Sequence, residues 1–386
     1  MIPFSYNLRS LLARRVSTVA TVTAIALAVA VLVTLFALAE GIAHALDLSG
    51  SDDRLILLRT GAQSETESGI GRDLLQLVRT IPGVVKGADG QPLASGEIVV
   101  LVQASRRDGG QSNLPFRGIS EAGYALRPGF RIVAGRRFRP GTDEVIVSGA
   151  VADRFANMDL GQTLSLGQDR WKVVGSFTTG GTVYDSEIWA DAIMVGDAFD
   201  RPIYSSILLQ AVGQQGASQV AALVADDQRL QAEAHSQRDY FQRQGLTVEI
   251  LRASATVLIL ILGVGAAFAG ANAMYAAVAA RSRELATLRA LGFRRWQVMV
   301  SMTFEALALA VVGGIAGALV AWPFVDGLAT GTMNFTTFSE LTFRFRVSGG
   351  VLLVALAYAA AVGLVGGFLP ARLASRAPIA EGLRQP

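Results

Sequence analysis

Few residues in this sequence of 386 residues are of the types that carry out catalysis. It contains two histidines, His44 and His235, two lysines, Lys86 and Lys172, and no cysteine. A phosphate-binding loop needs a glycine-rich turn that ends in Gly-Lys-Ser or Gly-Lys-Thr, and neither lysine follows a glycine run. The lack of cysteine excludes disulfides and thiolate sites, and two scattered histidines do not suggest a catalytic triad or a metal centre. We therefore expect no catalytic residues, no metal and no bound cofactor in this chain.

The segment 184–189, Tyr-Asp-Ser-Glu-Ile-Trp, places two carboxylates beside two aromatic side chains. Such a group can contact a ligand or a protein partner, so Tyr184, Asp185, Glu187 and Trp189 form a candidate external contact. The alternative is structural, namely a turn that leads into a strand or a short helix. The residues alone leave both interpretations open.

A second candidate surface lies in the arginine-rich segment 281–297. Leu285, Leu288 and Leu291 repeat at helical spacing, which predicts a short amphipathic helix that ends at Gly292. Such a helix offers a docking surface to another protein, whereas a merely basic flank would not need the ordered leucine spacing. The candidate docking residues are Arg283, Glu284, Leu285, Leu288, Arg289, Ala290, Leu291, Gly292 and Arg295.

The composition indicates a membrane protein. Hydrophobic residues make up 51% of the chain and charged residues 17%, whereas charged residues are about 25% of a typical soluble domain. Four apolar stretches, 16–39, 253–280, 298–325 and 347–371, are each long enough as helices to cross a hydrocarbon core of about 30 Å. The one acidic residue within them is Glu305, near one end of the third, so we expect the energy source for any transport to lie elsewhere.

Arginines cluster before the first span, between the second and third, and after the fourth. By the positive-inside rule these faces are cytoplasmic, which puts both termini inside and the segments 40–252 and 326–346 outside. Because the clusters flank the spans, we expect no nucleic-acid partner. Residues 1–15 are compatible with an elbow helix in the membrane interface or with a simple basic flank, and 372–386 form a cytoplasmic tail.

The insertion 40–252 is long enough for its own core and for two lobes. Short β-type runs separated by glycine-rich turns alternate with helical spacing, which predicts an α+β domain. The predicted strands are 55–58, 97–102, 144–147, 171–174 and 207–212, and the predicted helices are 71–81 and 217–225. From about Arg238 the chain is predicted to be helical into the second span, as a stiff rod. The alternative is a shorter helix that ends at Gly245.

The segment around Leu288 resembles the signature of a known family. The run from Arg283 to Gly292, Arg-Glu-Leu-Ala-Thr-Leu-Arg-Ala-Leu-Gly, with Glu305-Ala306 downstream, is similar to that of the FtsX-like permease family and its MacB-type branch. Segments 370–374 and 378–384 resemble the family's tail, and 135–138, 144–147, 160–161 and 173–175 resemble its periplasmic core domain. The resemblance implies four transmembrane α-helices plus a large α+β extracytoplasmic (periplasmic) domain.

The resemblance further implies a type VII ABC transporter permease of the bacterial inner membrane that works by mechanotransmission. Two such subunits pair, as a homodimer or with a paralogue, and each rests through the link helix on a separate ABC ATPase, which uses ATP and Mg. A substrate is then exported or released on the outer side, by efflux or by lipoprotein or lipid release, with membrane lipids and a periplasmic adaptor or carrier protein as further partners. The alternative within the family is a signalling permease that regulates a cell-wall hydrolase. The alternative outside the family is a membrane-anchored sensor or adhesion protein.

Overall fold

The computed structural model describes residues 15–334 and 337–376, without the side chains of residues 17, 246 and 247. The segment predicted as an elbow helix lies outside this range except for residue 15, and so does the tail beyond 376. The chain divides into two compact units. Of the described residues, the helical unit comprises 15–40, Ile250–Leu328 and 345–376. The α+β unit comprises Gly41–Glu249 and Ala329–Arg344.

Helices and strands are numbered along the described residues. The helices are α1 (Arg15–Ser49), α2 (Leu74–Arg79), α3 (Glu121–Ala125), α4 (Gly149–Arg154), α5 (Ala192–Ala198), α6 (Gly213–Asp226), α7 (Gln237–Arg243), α8 (Leu246–Ala280), α9 (Ser282–Ala290), α10 (Arg295–Val325) and α11 (Gly349–Arg376). The strands are β1 (Arg54–Arg59), β2 (Ile70–Gly71), β3 (Ala94–Ser105), β4 (Gln111–Ile119), β5 (Arg131–Gly135), β6 (Glu144–Ser148), β7 (Thr163–Leu166), β8 (Asp169–Thr178), β9 (Ile188–Asp191), β10 (Ile203–Tyr204), β11 (Ser206–Gln210), β12 (Ala232–Ser236), β13 (Ala329–Met333) and β14 (Glu340–Arg344).

Four helices, α1, α8, α10 and α11, are long and apolar enough to cross a membrane. Each contains a run of Ala, Val, Leu, Ile and Gly with almost no charge, and only a hydrocarbon environment suits side chains that are apolar on every face of a helix. Many of these side chains are exposed in the isolated chain, such as Ile261, Phe268 and Val365. The chain is therefore a membrane protein, as predicted from its composition.

Small residues allow the long helices to approach closely within the helical unit. A Cβ added at Gly317 of α10 would overlap the backbone of Ala26 in α1. A Cβ added at Gly314 would lie 2.6 Å from the Cβ of Ala359 in α11, closer than atoms can pack. In a bilayer, where lipid is as apolar as leucine, such close van der Waals contact is a main source of helix association.

The α+β unit is organised around a ten-stranded sheet with the order β12-β1-β11-β3-β4-β9-β6-β8-β5, and β7 pairs with the edge of β8. Most neighbours are antiparallel, but β4 pairs with β9 and β6 pairs with β8 in parallel. The first half of β3 is buried on both faces, as expected for a central strand that is covered on both sides. The predicted α+β class is confirmed.

One large apolar core lies within the α+β unit. It includes the fully buried side chains of Ile98, Phe116 and Trp171. Phe116 meets Trp171 edge to face, with ring centroids 5.0 Å apart. Burial of aromatic rings of this size is a major favourable contribution to folding, and the edge-to-face arrangement adds to it.

Two connections differ from the sequence prediction. The stiff rod is wrong in its external part, because helix α7 ends at Arg243 and α8 begins at Leu246, with Gly245 between them. The alternative, a shorter helix that stops near this glycine, is the one observed. The loop predicted at 326–346 contains the β13–β14 hairpin, whose residues belong to the α+β unit.

The individual elements of the α+β unit follow the predicted pattern with shifted ends. All five predicted strands are present, as β1, β3, β6, β8 and β11. The helix predicted at 71–81 is shorter, as α2, and the helix predicted at 217–225 is longer, as α6. Segment 184–189 forms a single 3₁₀ turn, Val183–Ser186, that leads into β9, which was the structural alternative for this segment.

Candidate functional site

The link helix α9 is terminated by a glycine. The backbone N–H of Gly292 donates to the carbonyl oxygen of Arg289 (3.2 Å), and the N–H of Phe293 donates to that of Leu288 (3.2 Å), which together form a Schellman motif. Gly292 has φ +98°, in the left-handed region that glycine enters without steric cost. The predicted helix and its stop are confirmed.

A buried arginine fixes the start of the link helix. Arg281 lies directly before α9 and is 6% exposed. Its Nε donates to Glu284 (3.2 Å), and its Nη1 donates to Glu305 of α10 (3.3 Å). Glu305 is 4% exposed, and a carboxylate in such a place needs a partner of opposite charge. This pair ties the link helix to the body of the helical unit.

The three leucines of the predicted docking face have different surroundings. Leu285 is buried and packs with Val298 and Met302 of α10. Leu288 is half-buried, and Leu291 is 74% exposed. Leu285 therefore anchors the helix, and its prediction as a surface docking residue is wrong, because α10 covers the face on which it lies.

An exposed apolar surface remains where α9 ends and α10 begins. We call Leu291 and Trp296 the apolar tip; Trp296 is 51% exposed. Arg289 is half-buried, and the other predicted docking residues around the tip are exposed: Arg283, Glu284, Ala290, Gly292 and Arg295. Trp296 was absent from the sequence-based set, although an aromatic residue next to a polar turn is a typical signal of a protein contact.

The candidate external contact at 184–189 is corrected by the structure. Tyr184 is 5% exposed, Glu187 4% and Trp189 0%. Asp185 is half-buried, and its carboxylate accepts hydrogen bonds from the hydroxyl and the backbone N–H of Thr179. Three of the four side chains are therefore interior groups, because the 3₁₀ turn directs this segment into the core.

Glu187 belongs to a buried charge cluster, which we define as Glu65, Glu97, Arg117, Arg127 and Glu187. Arg117 lies 2.8 Å from each of three carboxylates, those of Glu65, Glu97 and Glu187. Arg127 pairs with Glu97 at 2.7 Å. No member is more than 7% exposed. Buried charges are tolerated only when they are paired and hydrogen-bonded, so the cluster links β3 and β4 to the segments that carry its other members.

The protonation state of the cluster follows from these contacts. Burial alone would raise the pKa of Glu65, but the charge and hydrogen bonds of Arg117 outweigh it and leave the pKa below its ordinary value. Burial likewise disfavours the charge on Arg117, but the surrounding carboxylates hold its pKa well above the ordinary value. At neutral pH both groups stay charged, which suits a structural role and not proton transfer.

Aromatic side chains enclose one end of the cluster. The guanidinium of Arg127 lies 4.2 Å from the ring centroid of Tyr184. The indole Nε1 of Trp189 donates to Glu187 (2.7 Å), and Nε2 of Gln237 donates to the hydroxyl of Tyr184 (2.7 Å). The conspicuous composition of segment 184–189 is therefore explained by interior hydrogen bonds and cation–π contact.

The β13–β14 hairpin is attached to the α+β unit by polar contacts. The side chain of Arg154 in α4 forms a salt bridge with buried Glu340. The hydroxyl of Ser186 accepts from the backbone N–H of Thr342 (2.6 Å) and donates to the carbonyl of the same residue (3.3 Å). The hairpin is therefore an integral part of this unit.

Four membrane-length helices, a short link helix and a large inserted α+β unit are the architecture of a membrane permease. Two family models match the chain, the MacB-like periplasmic core domain over residues 18–235 and the FtsX-like permease C-terminal region over residues 256–379. The chain belongs to the family of FtsX-like permeases that carry a MacB-like periplasmic core domain.

Several known proteins are similar to this chain. The macrolide export ATP-binding/permease protein MacB of Bordetella avium is 27% identical over 299 residues, which is 69% of this chain and 42% of the relative. The MacB protein of Sodalis glossinidius is 28% identical over 304 residues, which is 70% of this chain and 44% of the relative. This chain thus spans less than half the length of either relative.

Two solved structures match part of this chain. The periplasmic region of MacB from Actinobacillus actinomycetemcomitans matches with a TM-score of 0.39 and 11% identity, covering 52% of this chain and 96% of that one. The extracellular domain of the ABC-type transporter YknZ from Gram-positive bacteria matches with a TM-score of 0.37 and 16% identity, covering 47% of this chain and 100% of that one.

Proposed function

We propose that this chain is the permease subunit of an ABC transporter that works by mechanotransmission. ATP, with Mg, is hydrolysed by a separate ABC ATPase, and the resulting movement drives export or release of a substrate on the outer side of a bacterial inner membrane. The family membership supports the permease role. The names of the MacB relatives, which are export proteins with an ATP-binding part, support the link to ATP.

The observation that carries this proposal is the apolar tip, Leu291 and Trp296, at the end of a firmly anchored helix. Leu285 and Arg281 fix the opposite side of the link helix to α10. A partner that pushes on the tip therefore moves α10 with it, and the displacement is not lost in a flexible loop. Exposed leucine and tryptophan side chains on a cytoplasmic surface suit docking of a protein and would be unfavourable in water alone.

The proposed topology places both termini and the apolar tip in the cytoplasm and the α+β unit outside. It is supported by the arginines that flank the spans, since such residues are retained on the cytoplasmic side. The chain has no native cysteine, so single cysteines can report their own side of the membrane. With a membrane-impermeant thiol reagent, we expect Leu160→Cys to be labelled from outside and Leu291→Cys only after the membrane is opened. Labelling of both from one side would contradict the topology.

The proposed assembly contains two permease subunits, either two copies or a paralogous pair, with an adaptor or carrier protein on the outer side. The helices of one chain leave many apolar side chains exposed, which lipid and a second subunit would cover. A disulfide cross-linking scan along α1 and α8 tests the pairing, because a symmetric contact forms between identical positions of two copies.

Site-specific cross-linking from the tip tests the functional proposal. A photoreactive group attached at Leu291→Cys in native membranes should capture an ABC ATPase, identified by mass spectrometry. Leu160→Cys, another exposed leucine position (53% exposed) but in the α+β unit, is the matched control and should not capture it. Capture of lipid alone at position 291 would show that the tip inserts into the membrane and would contradict docking.

A further inference from the structure

A cavity with a volume of about 530 Å³ lies within the α+β unit. It is formed between the last two turns of α1, helix α4, strands β5 and β8 with the turn that follows β8, and the β13–β14 hairpin. Cavities of a few hundred cubic ångströms with mainly apolar walls and a few charged groups are typical of sites for small molecules. Neither the docking surface nor the charge cluster uses this space.

Two arginines provide free positive charge in the cavity. Arg131 of β5 and Arg344 of β14 line it and are both exposed, and neither has an ion-pair partner among the described residues. A third arginine of the wall, Arg154, is already engaged by Glu340. Of the acidic groups, Asp185 is held by hydrogen bonds to the turn after β8, which leaves Asp153 as the acidic group without an ion pair among the described residues. Two unpaired guanidiniums against one carboxylate favour an anion, and guanidinium binds phosphate through paired hydrogen bonds.

Apolar side chains accompany these charges. Leu48 of α1 is 44% exposed and Val133 of β5 is 63% exposed, and both line the cavity together with Phe177 and Phe343. Exposed aliphatic side chains beside a charged cavity suit a ligand with an apolar part next to its charge. A small inorganic ion would leave this apolar surface uncovered.

The cavity also lies close to the membrane along the chain. Its wall residues Gly41 and Leu48 continue the helix that contains the first apolar run, which ends at residue 39. Gly41 and Leu48 follow the end of that run by two and nine residues. Arg344 precedes helix α11, the fourth candidate span, by five residues. Because the cavity walls are joined in sequence to two candidate spans, membrane lipid is the nearest source of an anionic amphiphile.

We propose that this cavity binds a phosphate-bearing amphiphile, an anionic membrane phospholipid, with its phosphate held by Arg131 and Arg344 and its apolar part against Leu48 and Val133. Binding of this kind requires no ATPase and does not depend on the proposed transport function. The proposal can fail while the docking surface stands, and the reverse also holds.

Lipid retention by the full-length protein tests this proposal. The purified chain in mild detergent is mixed with phosphatidylglycerol or with phosphatidylcholine of the same acyl chains, and bound lipid is counted by native mass spectrometry. We expect preferential retention of phosphatidylglycerol and a loss of about tenfold or more in affinity in R131Q/R344Q. The matched control, R139Q/R346Q, removes two exposed arginines that do not line the cavity and should bind as the wild type does.

A second variant tests the cavity itself. Ala150→Trp places a large side chain in the space without changing any charge and should also abolish the preference. Circular dichroism spectra of each variant will test whether it is folded. Equal retention by R131Q/R344Q and wild type, or by A150W and wild type, would overturn the proposal. Displacement of phosphatidylglycerol by an equal concentration of inorganic phosphate would also overturn it, because the apolar walls would then contribute nothing.

Discussion

The guanidinium of Arg281 lies 3.3 Å from the carboxylate of Glu305, although the two residues are 24 positions apart in the sequence. Both are buried. The contact joins the start of the link helix to the next long helix, and it explains why a chain with almost uncharged spans keeps one carboxylate there. Removing Glu305 takes away the buried one of the two carboxylates that pair with Arg281 and leaves the exposed Glu284 in place.

Glu305→Ala should therefore destabilise the helical unit, but by less than the roughly 3–5 kcal/mol that breaking a buried ion pair from one side costs, because Glu284 still pairs with Arg281. The double variant R281M/E305A should be more stable than E305A, since it also removes the buried arginine that has lost Glu305. Thermal unfolding of the detergent-solubilised chain measures both. If the double variant were the less stable of the two, Arg281 would have another role that outweighs this pairing.

The buried charge cluster gives a second prediction. Arg117→Met leaves Glu65, Glu97 and Glu187 without their shared partner, and we expect a loss of about 3–5 kcal/mol in the free energy of unfolding of the α+β unit. Near-ultraviolet circular dichroism follows this unit through Trp171 and Trp189, which are fully buried. Arg170→Met, at an exposed position on β8, is the control and should change the stability little. A similar loss in both variants would contradict the role of the cluster.

The cluster also makes stability depend on acid. The folded-state pKa of Glu65 lies below its ordinary value, so the folded chain binds fewer protons than the unfolded chain in this range. Its contribution is fully present above the unfolded-state pKa of about 4.3 and is lost as the pH falls through the folded-state pKa. Glu65→Gln should flatten the acid limb of a plot of thermal midpoint against pH. An unchanged acid limb would exclude Glu65 as a contributor.

Helix packing in the helical unit can be tested at two glycines. Gly317→Val should lower the thermal midpoint, because the added side chain meets the backbone of Ala26. Gly265→Val makes the same change on α8, where a Cβ has no neighbour within 4 Å, and valine costs a helix no more than glycine does. We expect the second variant to match or exceed the wild type. If the thermal midpoint fell equally in both variants, the effect of valine on helix propensity would outweigh the effect of helix packing.

The docking proposal predicts a separation between neighbouring leucines. Leu291→Asp with Trp296→Asp should reduce co-purification of the partner ATPase about tenfold or more without loss of thermal stability, because both positions are exposed. Leu285→Asp should instead destabilise the helical unit, since it buries a charge against α10. Leu160→Asp should affect neither quantity. Undiminished co-purification in the first variant would contradict docking at the tip.

Some of this arrangement could be predicted from residue patterns, because the signals are local. The apolar runs predicted the four long helices. Glycine readily adopts the left-handed backbone conformation that ends a helix, so Gly292 predicted the end of the link helix. Strand β4 was missed because Asn113, Pro115 and Arg117 interrupt its apolar pattern, and only the tertiary partners of Arg117 make it a buried strand residue. No helical periodicity distinguishes Leu285, which α10 covers, from Leu291, which it does not.

The prediction of an external contact at 184–189 was wrong for a related reason. A sequence shows that Tyr184, Glu187 and Trp189 are adjacent, but their burial depends on Arg117 and Arg127, which approach from other parts of the chain. Residues that are polar and aromatic together can build either a surface or an interior network. The choice is made by distant partners, which a single local pattern does not contain.

The attachment of the β13–β14 hairpin has a consequence for biosynthesis. The contacts of Ser186 with Thr342 and of Arg154 with Glu340 join segments that the ribosome makes far apart in time. Helices α8 and α10 must both be delivered to the translocation machinery before Thr342 leaves the ribosome. The nascent α+β unit therefore waits, with part of its surface uncovered, until two further segments have entered the bilayer. In the proposed topology, a chaperone on the outer side of the membrane would find its binding sites there during that interval.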